Sequence, residues 1–305
     1  LGDPRLLSAI RDRARECDVV YPVTEPLQEL WPGARHGKRR TSALMRDAGI
    51  RVPDESEVGD LGALGFPVVL KGDRGRGGTA TFILDERVIP SAARDLRLPF
   101  LQRYIAGPTH LAGGVFDRGR ALRFYMARKT VQFPARTGPA AELWSVDEPA
   151  LRAAALRAFE VAGVSGIASA DFIRDDAGRY WFLEPNPRPW GSMSAAAAAG
   201  VDLFAPLVAT WQGEKVTPDL RFRAGVRTAT FPLYLLAPRM WVSGRTFAAL
   251  PADVARVAAF AGREPALAHH LVQRLIRMRV REGFPSSASS SADVASIEAG
   301  LPRLP

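Results

Sequence analysis

The chain is 305 residues long, 47% hydrophobic and 24% charged, which excludes a disordered or fibrous protein and allows two or three domains with cores of their own. One cysteine, Cys17, excludes an intrachain disulfide framework and points to a reducing, cytoplasmic setting. The formal charge of +9 and a pI near 10.4 favour anionic partners. No zinc-finger spacing or aromatic RNA-binding pattern occurs and the arginines are dispersed, so nucleotide and an acidic small substrate account for the charge without nucleic acid.

In chain order, Leu6 to Arg15 has helical spacing and Asp18 to Pro22 reads as a short strand. No charged-then-apolar leader opens the chain. Ser42 to Ala48 is a helix with apolar positions at Leu44, Met45 and Ala48; Gly49 stops it and Pro53 follows. Phe66 to Lys71 is a strand that enters the glycine-rich run Gly72 to Thr79, and Ala80 to Leu84 returns. Glycines let backbone N–H groups converge on phosphate oxygens, and Lys71 adds a charge. The run is not a Walker A loop, because no Gly-Lys-Ser/Thr follows the glycines; on its own it reads equally as a plain turn.

Val115 to Phe124 is a hairpin turning at Asp117-Arg118-Gly119-Arg120, and Arg123, Arg128, Lys129 and Arg136 cluster after it, either near a substrate or along a basic sheet edge. Pro149 to Ala162 is an alanine-rich amphipathic helix ended by Gly163. Met193 to Trp211 is the most apolar stretch, but it contains Asp202 and Pro206 and reads as a buried packing helix, not a membrane span. Thr228 to Leu236 reads as a strand, Ala252 to Ala261 and Ala266 to Arg281 as helices, and Ser286 to Ser291 as low-complexity. His269-His270 has no acid or cysteine at metal spacing and reads as helix surface.

The most informative stretch is Gly166 to Ser192. Two apolar runs, Ile167 to Ile173 and Tyr180 to Leu183, flank the turn residues Asp175 to Gly178. An even-length turn pairs Arg174 with Arg179 and sets Asp171 opposite Phe182, with Glu184 on the diagonal. Alternation then gathers Asp171, Glu184 and Asn186 on one face and Phe172, Trp181 and Leu183 on the other. Two carboxylates and an amide oxygen form a hard-oxygen set that suits Mg²⁺ held with a nucleotide's phosphates; the alternative is a half-exposed hairpin with ordinary acids.

The run Asp171…Phe182-Leu183-Glu184-Pro185-Asn186-Pro187-Arg188-Pro189-Trp190-Gly191-Ser192 resembles the metal-binding signature of the ATP-grasp superfamily, which includes carbamoyl phosphate synthetase, biotin carboxylase and many carboxylate–amine ligases. The family usually has Ile or Met where Pro185 stands, which stiffens the strand end without removing a ligand. The resemblance spans about Lys38 to Glu214 and implies an α+β fold that holds the nucleotide between two sheet-containing subdomains, after a short or truncated N-terminal α/β lobe. Its divisions are 1–37 for the lobe remnant, 38–105 for the linker helix and small mobile subdomain, 106–215 for the large subdomain with the metal site, and 216–305 for a C-terminal strand and helices.

By that match Lys38, Lys71 and the glycines Gly75, Gly77 and Gly78 hold the phosphates, while Gln102 and the Ile105 backbone take the adenine edge. Gln102 stands where the family often has Glu. The acid often found near Ala112 is absent, which leaves His110 to face the ribose. Asp171, Glu184 and Asn186 hold Mg²⁺, two ions by the resemblance, with Mn²⁺ an admissible substitute; Arg188 and Lys71 are the catalytic cations. The implied activity is ATP-dependent: a carboxylate is activated as an acyl phosphate and attacked by an amine, giving an amide or peptide bond, ADP and phosphate. The alternatives are phosphoryl transfer or ligation with a non-amine nucleophile, and a nucleotide-binding protein without turnover. The implied partners are the small-molecule carboxylate and amine, with neither nucleic acid nor membrane; a homo-oligomer is left open.

Overall fold

A computed structural model describes residues 37–74, 81–133, 135–186, 188–231, 233–242 and 244, and isolated positions at 251, 255, 262 and 269. The N-terminal helix and strand, Gly75, Gly77 and Gly78, the low-complexity serines and, save isolated positions, the two C-terminal helices lie outside the described residues.

Helix α1 (Gly37–Asp47) begins earlier than its apolar spacing indicates and ends at Gly49, whose φ of +78° suits a residue without a Cβ. Strands β1 (Glu55–Ser56), β2 (Val68–Arg74), β3 (Thr81–Leu84) and β4 (Arg97–Arg103) form a four-stranded antiparallel sheet in the order β1-β4-β2-β3. Its apolar face buries Val68, Leu70, Leu84 and Leu101 against the 3₁₀ turns at Val58–Asp60 and Ser91–Asp95. The connection to the second sheet passes through Gly107, where φ is +147° and a Cβ would stand 1.8 Å from the Arg174 carbonyl oxygen, so only glycine fits.

The second sheet is six-stranded and antiparallel, built from β5 (Thr109–Asp117), β6 (Arg120–Gln132), β7 (Ala140–Ser145), β8 (Gly166–Arg174), β9 (Tyr180–Asn186) and β10 (Arg227–Ala229), in the order β10-β7-β6-β5-β8-β9. Helix α2 (Pro149–Val161) and α1 cover one face, burying Phe116, Phe124, Phe172 and Phe182 with Leu151 and Phe159. Helices α3 (Met193–Ala198) and α4 (Ala205–Trp211) bound the other face, where Leu111, Tyr125, Leu143 and Trp190 are buried.

The structure departs from the sequence pattern at three places. The single helix over Met193 to Trp211 is two short helices, broken at Gly200 (φ +89°) and restarted by Asp202, whose carboxylate accepts from the Phe204 and Ala205 amides at 2.9 and 3.1 Å. The strand expected over Thr228 to Leu236 is only β10; a short helix α5 (Leu233–Leu236) follows, and α6 (Pro238–Val242) after it. Pro232 cannot donate to a ladder, which is consistent with the strand ending before it.

The third departure is the β8–β9 register. Arg174 pairs with Tyr180, not Arg179, and a bulge between Asp171 and Phe172 puts Asp171 directly opposite Glu184. Phe182, not Trp181 or Leu183, shares the core face with Phe172, their rings T-shaped at 5.6 Å. Each slip moves the pairing by one residue, so the two together restore the common face of Asp171, Glu184 and Asn186 while reversing Phe182 and Leu183.

Candidate active site

The two sheets face each other across an open cleft lined by residues of both. Apolar walls come from Val69 and Ile83 of the small sheet and Ile173 and Leu183 of the large one; Tyr104 and Ile105 run along the connection between them. This is a slot for a flat apolar ring. At its other end Lys71, Lys129, Asp171 and Glu184 converge. Arg136, in the β6–β7 loop with φ of +72°, lays its guanidinium 5.1 Å from the Tyr104 ring at the mouth.

The charged end is held by pairs. Asp171 and Glu184 face one another across the β8–β9 ladder. The Lys129 ammonium lies 2.7 Å from Asp171 Oδ2, with both side chains largely buried. Lys38, on the first turn of α1, reaches to 3.6 Å from Glu184 Oε2. Lys71 is 7% exposed and donates to Gln102 Oε1 at 2.7 Å; Gln102 in turn donates to Glu55 at 3.1 Å.

Burial pushes the Lys71 ammonium down to about 8, against the opposing pull of Glu184. Burial raises the Asp171 carboxyl, and Lys129 offsets only part of that. Burial also acts to raise Glu184, but Lys38, Lys71 and Lys129 together outweigh it and hold that carboxyl below the usual range. The two opposed acids thus differ because one has a single close ammonium and the other a ring of three.

The residues expected as a site fall into three groups. Lys71, Gln102, Ile105, Asp171 and Glu184 line the cleft, and Lys38 touches it through Glu184. Asn186 is one rung further along the same face, paired with Ser169, and its Oδ1 accepts from Arg188 Nη2 at 3.1 Å. Arg188 also donates to the Pro189 carbonyl at 3.2 Å. His110 is the exception. It is 1% exposed on the opposite face of β5, with Nδ1 3.1 Å from the Pro108 carbonyl oxygen and its ring edge-on to Tyr180, so it cannot face a ribose in the cleft. Strand alternation explains the error: Thr109, its neighbour, is the residue that lines the cleft.

Of the basic residues that follow the β5–β6 turn, Lys129 reaches the acids. A bulge at Val115/Phe116 shifts the β5–β6 ladder by one, pairing Leu111 with Ala127 and turning Lys129, rather than Arg128, toward Asp171. The hairpin turn alone counts to the wrong residue. Ser169 and Asp73 also escaped notice, since a buried serine or aspartate carries no sequence signal of its own.

The oxygen set fits a divalent ion. Asp171 Oδ1 is buried without a hydrogen-bond partner, as an atom waiting for an external ligand would be. Among the described residues no three His, Cys, Asp or Glu side chains form a metal cluster; Mg²⁺ needs only one or two carboxylates when phosphates complete its shell. Beyond the acids the same face carries Tyr125, Gly113, Ser169 and Asn186 in one row across four strands. Tyr125 Oη, Ser169 Oγ and nearby Trp190 Nε1 are buried without partners, three donors beside the acids.

Two antiparallel sheets that close on such a cleft are the architecture of the ATP-grasp class. A family model described as an ATP-grasp domain matches residues 36–192, just over half of the chain, and the chain belongs to that family. It is 29% identical over 234 residues to a D-alanine–D-alanine ligase of Alkalilimnicola ehrlichii, covering 66% of this chain and 75% of that protein. Among solved structures, a biotin carboxylase–β,γ-ATP complex from Campylobacter jejuni superposes with a TM-score of 0.55 at 16% identity, over 72% of this chain and 55% of that one. An L-amino acid ligase from Bacillus licheniformis gives 0.51 at 16%, over 68% and 56%. The chain thus spans about half the length of these solved structures, and their likeness is one of fold. Among the described residues no helix is long and apolar enough to cross a membrane.

Proposed function

We propose that the protein is an ATP-dependent carboxylate–amine ligase. The observation that carries this reading is the opposition of Asp171 and Glu184 at one end of an apolar slot, ringed by Lys38, Lys71 and Lys129. An adenine fits the slot between Val69 and Ile83 on one side and Ile173 and Leu183 on the other, with the Ile105 backbone at its edge. The triphosphate then runs toward the lysines. Gln102 is held by Lys71 and Glu55, so its contribution to the base is through the wall it forms.

The chemistry is phosphoryl transfer followed by acyl transfer. Asp171, Glu184 and Asn186 would hold Mg²⁺, one ion or two, which when bound neutralises charge across the β- and γ-phosphates. Lys71 and Lys38 hold phosphate oxygens, and Arg188 grips the transferring group in a forked arrangement that a lysine cannot reproduce. A carboxylate oxygen attacks the γ-phosphorus, the bond to the β-phosphate oxygen breaks, and ADP leaves. The amine then attacks the acyl carbon and phosphate departs. These are electrostatic and positioning tasks that need no protein nucleophile. Ser169, Tyr125 and Trp190 are neutral donors on the side where the acceptor carboxylate must lie.

The relative named D-alanine–D-alanine ligase supports amino-acid carboxylates and amines as the first compounds to try, and a ligase of such small molecules would work in the cytoplasm. The test is an ADP-release screen of carboxylates crossed with amines, with ADP, phosphate and amide counted in each positive well. Equal amounts of the three support ligation; ADP with a stable phosphorylated product, or no amide, rejects it in favour of simple phosphoryl transfer.

A further inference from the structure

Asp73 lies two residues beyond Lys71 on β2 and is 3% exposed. Its Oδ1 accepts the backbone N–H of Lys38 at 2.7 Å and of Arg39 at 3.0 Å. Those amides open the first turn of α1, which has no acidic residue of its own there and begins Gly-Lys-Arg-Arg. Three cations at the positive end of a helix dipole repel it, and the turn would fray without an outside acceptor for its amides. The small sheet supplies that acceptor. The same residue whose amide Asp73 holds, Lys38, extends its side chain to Glu184 on β9 of the large sheet. One carboxylate atom therefore ties β2, the start of α1 and the acidic end of the cleft into a single chain of contacts.

We propose that Asp73 is a positioning residue: it fixes the first turn of α1 so that the Lys38 ammonium is aimed at Glu184 and at the phosphates bound beside it. This rests on the phosphate-binding role given to Lys38 above. A hydrogen-bonded carboxylate on two successive amides sets both the height and the rotation of the helix start. Losing it lets the lysine root drift, and because charge–charge attraction falls with distance, a drift of about 1 Å weakens a contact to phosphate by roughly 5–10-fold. The role differs from a stability cap in being specific: it acts on phosphate binding through Lys38 and leaves the adenine slot, on the other side of Lys71, untouched.

The test measures affinity for a non-hydrolysable ATP analogue and for adenosine in Asp73→Ala, Asp73→Asn, Asp73→Glu, Lys38→Ala and the Asp73→Ala/Lys38→Ala pair. Asp73→Ala weakens the ATP analogue by about 10-fold and leaves adenosine unchanged; Asp73→Asn, whose amide oxygen still accepts both N–H groups, stays within about 3-fold. Asp73→Glu keeps the charge but misplaces it by one methylene, so it weakens the ATP analogue as alanine does. It also stands in should Asp73→Ala not fold. In the Lys38→Ala background Asp73→Ala adds no more than about 2-fold, the signature of two residues acting as one. Equal losses for both ligands, or losses that multiply fully in the pair, overturn the proposal while leaving the ligase reading intact. If Lys38→Ala alone leaves ATP affinity unchanged, the phosphate role of Lys38 falls, and the positioning role of Asp73 with it.

Discussion

Replacing Lys129 by methionine isolates the electrostatics of the site from its chemistry. The ammonium and the Asp171 carboxylate are 2.7 Å apart with side chains 6% and 15% exposed, so the pair is largely buried. Removing one partner of such a pair leaves an uncompensated charge and costs about 3–5 kcal/mol. At about 2–4 °C per kcal/mol for a body of this size, the melting temperature at pH 8 falls by roughly 10 °C. Asp171 has no second donor to fall back on, since Oδ1 is already unpartnered.

The loss depends on pH with a defined sign. Burial already raises the Asp171 carboxyl above its ordinary value, and without Lys129 it rises further. A carboxyl raised in the folded state penalises folding fully above its folded pKa and not at all below its unfolded one. The gap in melting temperature between parent and Lys129→Met therefore narrows as pH is lowered from 8 to 5. Adding Asp171→Asn restores most of the stability, because a neutral pair of similar shape has no charge to desolvate. Thermal melts of the three proteins across that pH range are the assay. A loss under about 2 °C at pH 8, or a gap that does not change with pH, would mean that Lys129 does not compensate a buried Asp171 charge.

Three other outcomes follow from the same contacts. Glu184→Gln keeps its shape and is expected to lower turnover by at least about 10²-fold in protein that remains folded, checked by steady-state ADP release. Arg188→Lys is expected to lower kcat more than it raises the KM for ATP; unaltered kcat with a large drop in melting temperature would make Arg188 a brace for Asn186 instead. Burial holds the His110 imidazole down at about 4, with Glu148 opposing, Arg128 and Arg174 adding to the depression and Tyr180 packed on its ring. The unfolded chain protonates this group near 6.5 and the folded one does not, so stability falls as pH drops from about 6.5 to 4, by up to about 3 kcal/mol; His110→Gln should flatten that part of the melting profile.

The parts of the site that were legible in the sequence are those written on one strand pair. Asp171, Glu184 and Asn186 share a face because two one-residue slips in the β8–β9 register add to an even shift, which leaves their alternation intact. Leu183 and Phe182 exchange faces for the same reason, since a bulge reverses alternation and leaves no mark in composition. Lys129 and His110 show the limit more clearly. Each sits on a strand whose period was readable, but which side faces the cleft is set by the β5–β6 bulge and by the neighbours β5 acquires from β8. The break in the α3–α4 stretch turned on Gly200 and Asp202 inside an alanine-rich run that satisfies helical spacing throughout. Asp73 was beyond reach, because capping a helix 34 residues away in sequence is a tertiary fact.

In the proposed reaction a carboxylate takes the γ-phosphoryl group and is then released from it by an amine. It is tested most directly with the acid identified by the ADP-release screen, labelled with ¹⁸O in both carboxylate oxygens. One labelled oxygen should appear in inorganic phosphate for each amide formed, with the other retained in the amide carbonyl. Unlabelled phosphate alongside a fully labelled acid product, or label recovered in AMP, would contradict it.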